Sequence, residues 1–298
     1  MYIIVSKTAK THEYVNPLGH EIHITRFILY DLLQKNKIST NDIIVTNSID
    51  RFFLYNKIFN NVITYTNYVD TVCINEITTD NIQIDLTFYS PVCTQNIKLH
   101  IFNILDYDFK YFDSTTPLFL EHINNINYYD LNSDTQYKDI INNHYIVIHQ
   151  RFNYDHDKIN KIIEKIKLIT NYKIIIFSMN NTCNYSYCNA NNITIINNLQ
   201  IYASLLNNNN CKLFISEWSG GGQLSQYCYN GLILYYFDNY ASHDYEIHYD
   251  NYQKGANQNY NIFNCWDFKT TTNCKRKYYK TLELLLNNLD NQLFLSNP

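Results

Sequence analysis

The stretch CKLFISEWSGGGQLSQYCYNGLILYYF, residues 211–237, decides how this chain reads. An apolar run (211–218) stops at three consecutive glycines, a helix-forming segment follows, and a second apolar run, LILYYF, occupies 232–237. Strand, tight turn, helix and strand make a βαβ unit, whose crossover leaves the two strands parallel. The spacing predicts one helix from the glycine run to near Gly231, with Gly231 at its C-cap position.

The pattern extends in both directions. Upstream, HYIVIH (144–149) and YKIIIFS (172–178) read as buried strands flanking the amphipathic helix DKINKIIEKIKLITN (157–171). NITIINN (192–198) and the helix LQIYASLLNN (199–208) complete a further cycle, and YKTLELLLNNLDNQLF (279–294) reads as a C-terminal helix. Near the N-terminus the same alternation recurs: strand YIIVS (2–6), helix IHITRFILYDLLQKN (22–36), strand DIIVTN (42–47), helix SIDRFFLYNKIF (48–59) behind a Ser48 N-cap, and strand NVITYTNYV (61–69). Between residues 70 and 140 the pattern weakens to two candidate strands, NIQIDLTFYS and NIKLHIFNI, among loops. The expectation is an α/β protein of two Rossmann-like doubly wound domains, 1–140 and 141–298, the second ending in the C-terminal helix.

Composition sharpens this. The chain has 298 residues, with 29 tyrosines but only 6 glycines, and it is rich in Asn and Ile. Those favoured residues have AT-rich codons, so the bias points to an AT-rich genome such as that of some large DNA viruses, and residues kept against it gain weight. They are the glycine run, four arginines (Arg26, Arg51, Arg151, Arg276) and two tryptophans (Trp218, Trp266).

A net charge of −4 with scattered basic residues lacks the footprint of a nucleic-acid binder, and KRK at 275–277 reads as a solvated run beside the last helix. Eight cysteines without a CxxC pair indicate neither a zinc site nor a disulfide framework, and the three N-x-[ST] sequons at Asn180, Asn184 and Asn192 are what an Asn-rich chain produces by chance. The opening MYIIVSKTAK lacks the plan of a signal peptide, and no run of 18 apolar residues exists. The expectation is a cytoplasmic protein without a membrane span, in the host cytoplasm if the genome is viral.

In an open parallel sheet, ligands meet the carboxyl ends of the strands. The run Ser219-Gly220-Gly221-Gly222-Gln223 stands at such an end, where glycines admit close approach and first-turn N–H groups can receive phosphate. Ser219 can cap the helix or donate to the same anion. Arg151, after the strand ending in His149, offers a guanidinium fork matched to phosphate. Glu217 can accept from a sugar hydroxyl or serve as a local cap, and Trp218 and His149 are candidate sugar or nucleotide contacts. So are Tyr240 and His243 in the segment NYASHDYEIHYDNY (239–252), whose His248 makes metal binding a weaker alternative. Absence of GxxxxGK[ST] and of GxGxxG disfavours ATP and NAD and leaves a pyrophosphate-linked sugar. The spelling DYD at Asp106–Asp108 falls in an acidic loop, so no metal site is expected.

These residues resemble GT-B glycosyltransferases. HQR at 149–151 is similar to the H-x-R of the fucosyltransferase-like branch, although Phe152, Asn153 and Tyr154 replace its usual continuation, and residues 197–237 look like the donor half of heptosyltransferases and fucosyltransferases. The resemblance implies two domains facing a central cleft. It also implies metal-independent, inverting transfer from a nucleoside-diphosphate sugar, the co-substrate, to a glycan or other hydroxyl acceptor, with no further cofactor. Arg151 would contact the diphosphate, while His20 in NPLGHEIH, or its neighbour Glu21, would serve as base, with His12 and His23 competing. The SGG turn is also similar to that of nucleotide-sugar 2-epimerases, which keeps an epimerase open; a carbohydrate-binding protein without turnover is the non-enzyme alternative.

Overall fold

A computed structural model describes residues 2–7, 18–46, 48–64, 85–86, 97–103, 125–150, 156–178, 192–237 and 275–295. The chain divides into two compact units: Met1–Tyr111 with Thr116–Asn127, and Phe112–Thr115 with Tyr128–Pro298.

The N-terminal unit holds a five-stranded sheet in the order β3-β2-β1-β5-β4. Its strands are β1 (Tyr2–Lys7), β2 (Ile43–Thr46), β3 (Asn61–Thr64), β4 (Asp85–Leu86) and β5 (Ile97–Asn103). β1, β2, β3 and β5 are parallel, and β4 joins β5 antiparallel. Between β1 and β2 the chain makes a helical turn at Leu18–His20, a π-helical stretch at Glu21–Thr25 and the helix α1 (Arg26–Gln34). The segment expected as a helix over 48–59 is instead a 3-10 helix at Ile49–Leu54 followed by turns, and Tyr55 and Asn56 N–H both return to the Phe52 carbonyl. Ser48 stands at the N-cap, without a side-chain capping bond.

The C-terminal unit holds six parallel strands in the order β11-β10-β9-β6-β7-β8. They are β6 (Tyr145–Gln150), β7 (Lys173–Ser178), β8 (Ile193–Ile196), β9 (Cys211–Glu217), β10 (Leu232–Tyr236) and β11 (Lys275–Tyr279). After β8 the chain returns to lay β9 against the other side of β6. This reversal is the topological switch point of a doubly wound sheet, and it sends the helices to opposite faces. On one face, α3 (His156–Ile169) and the C-terminal α7 (Leu282–Leu295) bury Ile159, Ile162, Ile163, Ile166, Leu285 and Leu289 against Ile146, Ile148, Leu213 and Leu234. The other face is aromatic. Tyr202 of α4 (Leu199–Leu206) stacks on Phe177 with centroids 4.0 Å apart, and Trp218 meets Tyr235 edge-on at 4.9 Å.

Buried phenols must find acceptors, and these find backbone carbonyls: Tyr145 donates to Leu205 O (2.6 Å), Tyr202 to Gly221 O (3.1 Å), Tyr229 to Cys211 O (3.3 Å) and Tyr235 to Gly222 O (3.1 Å).

Three expectations are corrected. The helix after the glycine run is two short pieces, α5 (Gly220–Gln223) and α6 (Ser225–Cys228), and Gly231 is not a left-handed cap, since no glycine has positive φ among the described residues. Gly231 is small because the Tyr229 ring lies on it and occupies the place of a Cβ. KRK at 275–277 opens edge strand β11, where charge blocks further pairing, with Lys277 bonded to Gln292 of α7. The second unit also begins before residue 141. The 3-10 turn Leu131–Ser133 and α2 (Thr135–Ile141) belong to it, tied by Tyr129 N–H to Ser204 Oγ (2.7 Å) and by Asn210 to the Ile141 carbonyl (2.6 Å). No helix among the described residues is long and apolar enough to cross a membrane.

Candidate functional site

The switch point gives the C-terminal unit its candidate site, at the carboxyl ends of β6 and β9. His149 and Ser216 are register partners on these adjacent strands, and their side chains point to the aromatic face. Glu217 belongs to the opposite face, where its carboxylate is fully buried 3.9 Å from Lys158 Nζ of α3. β9 then ends, and Ser219 in extended conformation caps α5, its Oγ accepting from Gly222 N–H at 3.2 Å.

The glycines are required by packing. A Cβ on Gly221 would overlap His149 Nε2, and one on Gly222 would overlap Ser216 Oγ. The turn therefore seats directly on the ends of β6 and β9. Its carbonyls are bonded inward, Gly221 O to Tyr202 and Gly222 O to Tyr235 and to Ser225 Oγ at 2.7 Å. Burial in this aromatic layer raises the Tyr202 phenol well above its ordinary range, so it stays a proton donor.

His149 is buried between this turn and the rings of Phe177 (5.6 Å) and Tyr202 (6.2 Å). Its Nδ1 stands 3.1 Å from Ser216 Oγ and 3.4 Å from Ser219 Oγ, and Ser216 Oγ donates to the Glu217 carbonyl at 2.5 Å.

Of the residues singled out in the sequence, the structure brings His149, Ser219, Gly220, Gly221, Gly222 and Gln223 to one rim. Ser219 is 9% exposed, and Gln223 is buried with its N–H on Ser219 O at 2.8 Å. Trp218 is corrected: at 4% exposure its indole lies in the aromatic layer with Tyr235, Phe237 and Tyr278, a core role that leaves no face for a sugar. His149 and Glu217 are likewise too buried to touch a sugar. Arg151, Tyr240, His243, His248, His12 and the DYD segment lie outside the described residues.

In the N-terminal unit, His20 ends the Leu18–His20 turn. Glu21 beside it is a second correction. It is 1% exposed, one carboxylate oxygen pairs with Arg51 Nη1 at 2.5 Å, and the other accepts from Tyr55 OH at 2.9 Å and from Thr46 Oγ1. A carboxylate enclosed in this way holds the fold and offers no lone pair to an acceptor hydroxyl. Burial, and then the Glu21 charge, raise the Tyr55 phenol well above its ordinary range.

Sequence reasoning missed Lys158. It and Lys161, one turn apart on α3, line a groove of about 510 Å³ with Thr281, Leu282, Glu283 and Leu286 at the start of α7. Among the described residues no cluster of three His, Cys, Asp or Glu side chains could hold a metal ion.

No protein-family model matches the chain. No curated protein matches it. Among solved structures, the E. coli heptosyltransferase WaaC with ADP is similar over 99% of this chain and 100% of that one, at 10% identity and a TM-score of 0.43. At that distance the likeness carries no weight for function.

Proposed function

We propose that the protein is a glycosyltransferase that binds a nucleoside-diphosphate sugar at the β6–β9 rim of its C-terminal unit and transfers the sugar to a hydroxyl of a glycan or related acceptor. One observation supports this reading: the Ser219–Gly222 turn follows β9 at the switch point, beside the carboxyl end of β6, and Arg151 is next in sequence after that strand. Arg151, the Ser219 hydroxyl and the N–H groups of Gly220 and Gly221 are assigned to the leaving diphosphate, whose developing charge they would stabilise. This role needs no metal. His20 is assigned as the base that takes the acceptor proton, giving inversion by direct attack.

The test is a thermal-shift series with UDP, GDP, CDP and ADP and their sugars, on the wild type and on Arg151→Ala. One diphosphate at a hundredfold excess over its Kd is expected to stabilise the wild type by about 2.7 kcal/mol. The variant should lose that gain. Stabilisation by free glycans alone would refute the reading, and conversion of a nucleotide sugar without any acceptor would point to an epimerase.

A further inference from the structure

The contacts around His149 constrain where four protons lie. Ser216 Oγ donates its only proton to the Glu217 carbonyl at 2.5 Å. Toward His149 Nδ1, at 3.1 Å, Ser216 can then act only as acceptor, a contact that is a hydrogen bond when Nδ1 carries the hydrogen. The same Nδ1–H faces Ser219 Oγ at 3.4 Å, so Ser219 cannot donate to it and accepts instead, as it also does from Gly222 N–H at 3.2 Å. Both contacts use oxygen lone pairs. The Ser219 hydroxyl hydrogen is left with no acceptor among the described residues, on a side chain only 9% exposed.

A buried hydroxyl whose lone pairs are taken is a committed donor. We infer that His149, protonated on Nδ1, is a positioning residue that turns the Ser219 hydroxyl into a donor for a phosphoryl oxygen of a nucleoside diphosphate. The inference rests on the diphosphate reading of the rim and adds to it the residue that sets the direction of the hydroxyl. His149 does not touch the ligand. It acts through Ser219, while its ring, held by Phe177, Tyr202 and Gly221, keeps Nδ1 in place. A histidine protonated only on Nε2 would reverse the chain, drawing the Ser219 hydrogen inward and presenting lone pairs to an anion.

Two measurements test this. Nitrogen-15 NMR of the histidine rings in the unliganded wild type, with His149 assigned from the signal lost in His149→Asn, reads the tautomer directly. Nδ1 bearing hydrogen is expected, and an unprotonated Nδ1 overturns the inference whatever the protein binds.

The second is titration with the diphosphate that stabilises the wild type. Ser219→Ala and His149→Phe should each weaken binding about tenfold or more, since a hydrogen bond to a charged group is lost. His149→Asn, which keeps an amide N–H near the place of Nδ1, should stay within about threefold of wild type by the same conversion. The double variant His149→Phe with Ser219→Ala should bind no worse than Ser219→Ala alone, because both changes remove one donor. Additive losses, or wild-type affinity in His149→Phe, overturn the positioning role and leave the diphosphate reading intact. Failure of the wild type to bind any diphosphate overturns that reading and the donor role with it.

Discussion

Glu21 and Arg51 meet at 2.5 Å inside the N-terminal unit, joining the turn after β1 to the 3-10 helix after β2. With Tyr55 and Thr46 on the same carboxylate, the pair also ties the end of β2 and the residue after the 3-10 helix to Glu21. Removing one partner leaves a buried charge without its counterpart. Glu21→Gln or Arg51→Met is therefore expected to destabilise the protein by about 3–5 kcal/mol, and the double change by less than the sum. Urea unfolding checks this; an unchanged midpoint in Glu21→Gln together with lost transfer activity would return Glu21 to the role of base.

Gly221→Ala should be poorly tolerated, because its new methyl meets the His149 ring, with Nε2 overlapping and Cε1 at 3.1 Å. A loss of about 1–3 kcal/mol is expected in denaturant midpoints. Gly222→Ala should cost about as much by the same overpacking, and Ser216→Gly should recover part of it by clearing both Oγ and Cβ. A Gly221→Ala protein as stable as wild type would mean that the turn lifts off the sheet at little cost.

These packing contacts mark the limit of what the sequence discloses. The βαβ cycle from residue 144 onward was legible because apolar strands alternate with helices such as α3, whose Ile159, Ile162, Ile163 and Ile166 follow helical spacing. The place of the glycine run at a strand's carboxyl end was legible for the same reason. Its contact with His149, some seventy positions away, depends on which strands become neighbours, and the order β9-β6 is set by the reversal after β8. The 48–59 segment misled because its apolar spacing fits a helix, while Arg51 turns inward to Glu21. Strand β11 was hidden because an edge tolerates Lys275, Arg276 and Lys277 in place of apolar residues.

Alkali should unfold this protein through its buried acids. Burial pushes the Cys211 thiol from 9.0 up to about 12, and it raises the phenols of Tyr55, Tyr145, Tyr202 and Tyr229 above 10.0. Each group holds its proton more tightly folded than unfolded. The stabilisation it brings is thus complete below its unfolded value and is lost as pH rises toward its folded one. Stability measured by urea titration should be flat to about pH 9 and fall from there to pH 12. A thiol reagent at pH 8 should leave Cys211 unmodified until denaturant is added; rapid modification of the native protein would show that the thiol is not enclosed.

A chain beginning at Tyr128 should retain cooperative unfolding better than one beginning at residue 141. The longer chain keeps Leu131, Tyr137 and Ile140, all buried in the C-terminal unit. Each such side chain contributes about 1.5–3 kcal/mol when fully buried. Calorimetry of the two fragments checks it, and equal transitions would place the start of the unit at residue 141.

The four phenol-to-carbonyl bonds have a consequence for recognition. Hydrocarbon surfaces slide over one another with little change in energy, whereas a phenol bonded to one carbonyl fixes a single register. Tyr145 indexes α4 to the sheet, Tyr202 indexes α4 to the Gly221–Gly222 turn, and Tyr235 indexes that turn to β10. Under the proposed diphosphate reading, a ligand arriving at this rim would meet a backbone already held in place, and little ordering entropy would be lost there on association.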